Sequence, residues 1–253
     1  MKKIIVLKIG TSTLTAGTDR ISRGKIEDIA RQIDLLKDQY HIILVSSGAI
    51  ATARQFISIS GWNKVVASKQ AMSAIGQPIL MQIYNEVFRD FSIKTAQCLM
   101  TYRDFENPNS RQNTLNTLQE LLKHDYVPII NENDTVSVEE ILLGDNDKLS
   151  ALVASLVHAK ALFLASDIDG VYDKNPHANQ DAQLIPVIND LEEVYQYIEE
   201  KPNGLGTGGM TSKVQAARIC LEKNIDVYIL NGGRAHFLVD VLEGKIPFTK
   251  FCS

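Results

Sequence analysis

Short runs of continuously apolar residues, alternating along the chain with stretches of helical periodicity, constrain this fold more than any other feature. Strand-like runs occupy residues 3–9, 42–45, 96–100, 127–130, 161–164 and 227–230. Most are apolar at successive positions, the pattern of strands covered on both sheet faces. Between them, apolar residues recur every three or four positions: Ile26, Ile29, Ile33 and Leu36; Ile75, Ile79, Ile83 and Val87; Leu115, Leu118, Leu121 and Leu122; Leu149, Leu152, Val153 and Leu156. Residues 190–200, with Leu191, Val194, Tyr195 and Ile198, read the same way. Strands alternating with helices predict an α/β chain, a three-layer αβα sandwich around a mainly parallel, open central sheet. Residues 103–113 and 173–183 read as polar loops, neither with the character of a linker. Residues 1–253 are therefore expected to form one domain whose two halves share a sheet, a size that one large domain accommodates.

Composition removes several classes of function. A net charge of −4, with lysines scattered along the chain, gives no basic footprint for nucleic acid. The opening Met1-Lys2-Lys3-Ile4-Ile5-Val6-Leu7 is cut at Lys8, far short of a signal-peptide core, and no later run approaches transmembrane length. Cys98, Cys220 and Cys252 are odd in number and widely spaced, with neither metal nor disulfide pattern. These features predict a reduced, cytoplasmic enzyme that binds neither nucleic acid nor membrane and builds no metal cage of its own.

The chemistry concentrates in two places. Residues 203–213 read Asn203-Gly204-Leu205-Gly206-Thr207-Gly208-Gly209-Met210-Thr211-Ser212-Lys213 before a helix begins. Glycines let a backbone approach an anion closely, and the helix that follows offers unpaired N–H groups and a positive dipole end. Thr211 and Ser212 precede Lys213, the reverse of a Walker A loop, and a helical segment rather than a strand comes before the glycines, so neither a P-loop nor a dinucleotide fold is indicated. A nucleotide phosphate is expected at this loop.

The second place is the row of strand ends, where ligands gather in such sheets. Lys8-Ile9-Gly10-Thr11-Ser12 follows the first strand, and Ser46-Ser47-Gly48 the second. Asn131-Glu132-Asn133-Asp134 closes the run at 127–130, Gly144-Asp145-Asn146-Asp147-Lys148 opens a helix, and Ser166-Asp167-Ile168-Asp169-Gly170 closes the run at 161–164. Each has a plain structural explanation alone, Ser47 and Asn146 as helix N-caps and Asp169-Gly170 as a turn. At successive strand ends they describe one polar cleft.

Lys8–Ser12, 45–50, Ser68-Lys69-Gln70, Ile75-Gly76-Gln77, 128–134, 144–151 and 204–213 together resemble the glutamate 5-kinase family of the amino acid kinase superfamily. The resemblance spans the kinase domain and leaves no room for the RNA-binding-type PUA domain that many members append. Asn175, where the family often has aspartate before the proline, is a minor departure. The resemblance implies transfer of the γ-phosphoryl group of ATP, arriving with Mg²⁺, to the side-chain carboxylate of L-glutamate, the first step toward proline. That carboxylate, with an unperturbed pKa of about 4.3, needs no general base. Lys8 and Lys213, near opposite parts of the cleft, are implied to neutralise the transferring group, with Asp147 holding the lysines and the backbone at Gly10 and Gly48 approaching the phosphoryl group. Ser166, Asp167, Thr207, Gly208, Gly209, Met210, Thr211, Ser212 and Lys213 are implied nucleotide-binding residues. Asp134 is implied to accept the α-ammonium of glutamate, with the Ser47 hydroxyl and Asn146 amide donating to its carboxylate. The half before residue 150 would be mainly substrate-binding and 150–253 mainly nucleotide-binding. The family also implies a homo-oligomer inhibited by proline.

Overall fold

The computed structural model describes residues 2–57, 66–137, 146–176, 178–195 and 209–252. Strands β1 (Lys3–Ile9), β2 (Tyr40–Ser46), β3 (Lys94–Met100), β4 (Tyr126–Glu132), β5 (Ala161–Ser166) and β7 (Asp226–Asn231) cover the six runs expected from sequence, β1 with the same bounds and the others slightly longer. Two short strands, β6 (Val187–Ile188) and β8 (Phe248–Phe251), complete an eight-stranded sheet of order β3-β4-β2-β1-β5-β7-β8-β6. Neighbours from β3 to β7 pair in parallel, whereas β8 lies antiparallel to β7. At four and two residues, β8 and β6 are too short for a continuous apolar run, which is why the sequence pattern passed over them.

The continuous strand runs are explained by two cores, one on each face. In β1, Val6 joins Ile43, Val45, Ile130, Leu162 and Leu164 on one face, while Ile5, Leu7 and Ile9 join Ile42, Leu44, Ile129 and Phe163 on the other. Helices α6 (Pro108–Lys123), α7 (Asp147–Leu156) and α9 (Met210–Leu221) cover the Val6 face. Helices α2 (Arg23–Leu36), α4 (Val66–Asp90) and α10 (Phe237–Leu242) cover the other. Short α1 (Thr11–Leu14), α3 (Ala49–Phe56), α5 (Arg103–Glu106) and α8 (Leu191–Tyr195) fill the connections. The helical reading at 190–200 is met over α8, and its remainder lies outside the described residues.

Two sequence expectations are corrected. Residues 103–113 are not a loop but α5 and the first part of α6. Exposure hid the first part of α6 from the apolar pattern, which marks the helix only from Leu115 onward, yet its start is signalled: the Asn107 side chain accepts hydrogen bonds from the N–H groups of Asn109 and Ser110, and Pro108 stands in the first turn. In α4 the buried stripe is Met72, Gly76, Leu80, Tyr84 and Phe88, one position away from the expected Ile75, Ile79 and Ile83; Ile75 is exposed, whereas the expected Val87 is buried. Gly76 is the reason the stripe sits there. An ideal Cβ at this position would lie 1.8 Å from the Ala49 carbonyl oxygen, so only glycine lets α4 pack this tightly on the start of α3.

Candidate active site

The alternation that builds the cores also aims the functional side chains. Lys8 shares the facing of Val6, toward the layer of α7 and α9, and both helices begin at this end of the sheet. Asp147, the first residue of α7, is fully buried. Its Oδ1 lies 2.7 Å from Lys8 Nζ and its Oδ2 lies 3.0 Å from Lys213 Nζ, at the start of α9. Ser212 Oγ also donates to Oδ2, at 2.9 Å. Lys8 and Lys213 thus do not stand on opposite parts of the cleft; one carboxylate draws both ammonium groups together. Among the described residues the cluster brings two lysine ammonium groups to one carboxylate, beside the N-termini of two helices. That setting suits a phosphoryl group.

A second cluster forms where β2, β4, α4 and α7 meet. Asn146 occupies the N-cap position of α7 but makes no side-chain cap. Instead its Nδ2 donates to the Ser46 carbonyl at 2.9 Å, to Asn131 Oδ1 at 2.9 Å and to Ser47 Oγ at 3.1 Å. Ser47 likewise is no N-cap; that position of α3 belongs to Gly48 at φ +102°, a left-handed conformation that favours glycine. The amide nitrogen of Asn146 is taken up by protein acceptors, so the donor role expected of it does not fit this geometry. Its Oδ1 is buried and has no hydrogen-bond partner among the described residues. Ser47 Oγ accepts from Asn146, which leaves its own proton to donate.

Asp134, just past β4, is buried, and Ser73 Oγ of α4 donates to its Oδ2 at 2.6 Å. Burial pushes its pKa above the ordinary aspartate value, and the Ser73 hydrogen bond opposes the shift. A desolvated carboxylate in this state calls for a cationic partner. Ser73, Gln77, Asn131 and the buried Glu132 were given no individual role from sequence. Ser73 and Gln77 are four apart on α4, both buried, and polar residues so spaced on an apolar helix face were the available signal.

The nucleotide side is only partly described. Ser166 closes β5, with its Oγ donating to Asp167 Oδ1 at 3.1 Å and its carbonyl accepting from Gly232 N. Gly209 is the N-cap of α9, Met210 packs against the core, and Thr211 is exposed. Thr207 and Gly208 lie outside the described residues. The loop after β7 is fixed in place: Arg234 forms a two-pronged contact with Asp169, at 3.0 Å for each hydrogen bond. Buried Lys25 of α2 donates to the carbonyls of Gly233 and Arg234. Among the described residues no group of three or more His, Cys, Asp or Glu side chains is placed to hold a metal ion, and no helix is long and apolar enough to cross a membrane.

Comparison with known proteins agrees with this architecture. Residues 3–231 match the model of the amino acid kinase family. The chain is 42% identical to a glutamate 5-kinase of Bacillus cereus over 246 residues, 96% of this chain and 67% of that protein. It is 42% identical to one of Photorhabdus laumondii over 249 residues, 98% and 68% of the two chains, and 41% identical to one of a Thermoanaerobacter species over 249 residues. Among solved structures, the UMP kinase of Ureaplasma parvum superposes with a TM-score of 0.68 at 20% identity, each chain fully covered, a likeness of fold alone. With a largely parallel sheet between helix layers and near full-length matches at this identity, the chain belongs to the amino acid kinase family, on its glutamate 5-kinase branch.

Proposed function

We propose that this protein transfers the γ-phosphoryl group of ATP to the side-chain carboxylate of L-glutamate, giving L-glutamyl 5-phosphate for proline synthesis in the cytoplasm. The observation that carries the proposal is the Lys8–Asp147–Lys213 cluster, which joins the end of β1 to the first turns of α7 and α9. The nucleophile is already an anion at neutral pH, so the barrier is the approach of one anion to another. Catalysis is then positioning and charge neutralisation of an in-line transfer. Lys8 and Lys213 supply the positive charge. Asp147 keeps their ammonium groups converged and prevents their mutual repulsion from driving them apart.

Both Asp147 oxygens are engaged by lysines, so this carboxylate is no ligand for a divalent cation. Mg²⁺ would arrive with ATP and help to neutralise its phosphates, keeping water and phosphate ligands rather than a protein cage. Asp134, buried and raised in pKa, receives the α-ammonium of glutamate, while the Ser47 hydroxyl donates to an anionic oxygen. Residues up to about 150 hold the amino acid, and the remainder, with Ser166, Asp167 and residues 207–213, holds the nucleotide. A homo-oligomer with proline as feedback inhibitor is part of the same reading.

The test is ADP release with ATP and, in turn, glutamate, N-acetylglutamate and aspartate. Glutamate should be preferred over N-acetylglutamate by roughly ten-fold to a hundred-fold or more in kcat/KM, because acetylation leaves Asp134 facing a neutral amide. Equal turnover of the acetylated acid would refute the assignment.

A further inference from the structure

The orientation of the Asn146 amide is fixed by the acceptors around its nitrogen. The Ser46 carbonyl oxygen can only accept, and it lies 2.9 Å from one terminal atom of that amide, so that atom is the nitrogen. The oxygen is thereby turned the other way, buried and without a hydrogen-bond partner among the described residues. A second contact holds the same choice: the nitrogen donates to Asn131 Oδ1 at 2.9 Å. Asn131 is itself an amide and could present either end. Its Oδ1 also accepts from the Glu132 N–H at 3.0 Å, and its Nδ2 donates to Gln77 Oε1 at 2.8 Å. Gln77, Asn131 and Asn146 are 6%, 2% and 0% exposed, so bulk water does not compete for these bonds.

Resting on the functional reading above, we propose that Gln77 is a positioning residue for glutamate recognition. Its accepting oxygen polarises the chain Gln77–Asn131–Asn146, so that Asn146 presents Oδ1 as an acceptor to the α-ammonium group of the substrate. The ammonium then meets two acceptors, the Asp134 carboxylate and the Asn146 oxygen, and α4 sets both, through Ser73 and Gln77. Gly76 completes the device. Its missing side chain allows α4 to approach the start of α3 closely, which seats its neighbour Gln77 at the sheet end.

The experiment compares glutamate with glutarate, which keeps both carboxylates and lacks the α-ammonium. In Gln77→Met, KM for glutamate should rise about tenfold or more, the scale of a lost hydrogen bond to a charged group. The inhibition constant of glutarate and KM for ATP should stay within about twofold of wild type, the size of change left when no such bond is lost. A merely structural loss would weaken glutamate and glutarate together, and that result would overturn the proposal. Gln77→Glu retains an accepting oxygen, so it should hold the glutamate-to-glutarate ratio near the wild-type value. Loss of the ratio in this variant overturns the proposal even where Gln77→Met proves insoluble. A wild-type protein inert toward glutamate would refute the functional reading instead.

Discussion

Replacing Asp147 with asparagine changes one atom in shape and one unit in charge, at the point where both lysines converge. In the native protein Oδ1 meets Lys8 and Oδ2 meets Lys213, at 2.7 and 3.0 Å. Asparagine offers one accepting oxygen, so one ammonium would face N–H groups instead. The lysines are 4% and 6% exposed, and water cannot make good the loss. Breaking one side of a buried ion pair costs about 3–5 kcal/mol. In a chain of this length each kcal/mol moves Tm by about 2–4 °C, so a fall on the order of 10 °C is expected. Turnover should drop further than stability alone explains, by about two to three orders of magnitude in kcat, because the spread ammonium groups no longer converge on the transferring phosphoryl. Scanning calorimetry and a coupled ADP assay measure the two effects on one preparation. Glu120→Gln, which removes an exposed partner of Lys123, serves as control and should leave Tm unchanged. An Asp147→Asn protein with native kcat and native Tm would show that the cluster neither organises the lysines nor contributes to folding.

Asp134→Asn should raise thermal stability at neutral pH while abolishing preference for free glutamate. Burial raises the folded pKa of Asp134, so its charged form is less favourable folded than unfolded, and this destabilisation is present above the folded pKa and relieved as pH falls toward the ordinary carboxylate range. The gain in Tm should therefore shrink on acidification, and a gain that stays constant or grows as the pH falls from 7 into the ordinary carboxylate range would contradict it. Gly76→Ala should destabilise the protein by about 1–3 kcal/mol or more, since its Cβ overlaps the Ala49 carbonyl, and denaturant titration reads this directly. Lys25→Met should destabilise on a similar scale, about 1–3 kcal/mol, by leaving the Gly233 and Arg234 carbonyls without their donor, with KM for ATP rising as the loop after β7 loosens.

The sequence by itself determined the layer architecture. Continuous apolar runs separated by helical spacing leave a parallel sheet covered on both faces as the arrangement that buries them, and the strand ends then had to hold the polar motifs. It also marked Lys8, Asp134, Asp147 and Lys213 as candidates, because they stand in polar motifs at the ends of strands and the starts of helices, and the resemblance carried by those motifs supplied their expected roles. Exposed α5, the first part of α6 and the short β6 and β8 escaped, since periodicity reports only segments with an extended buried face. What tertiary structure alone decided is which groups meet. Lys8 and Lys213 are 205 positions apart, and nothing in their own segments indicates that a single carboxylate joins them; only the family resemblance pointed to Asp147, and it set the two lysines on opposite parts of the cleft. Nor can spacing orient an amide: Asn146 reads as a helix cap or a donor until the Ser46 carbonyl and Asn131 are brought against it, and these come from β2 and β4. The physical reason is that hydrophobic pattern is a one-dimensional record of burial, whereas hydrogen-bond polarity and charge pairing depend on distances set by packing three layers together.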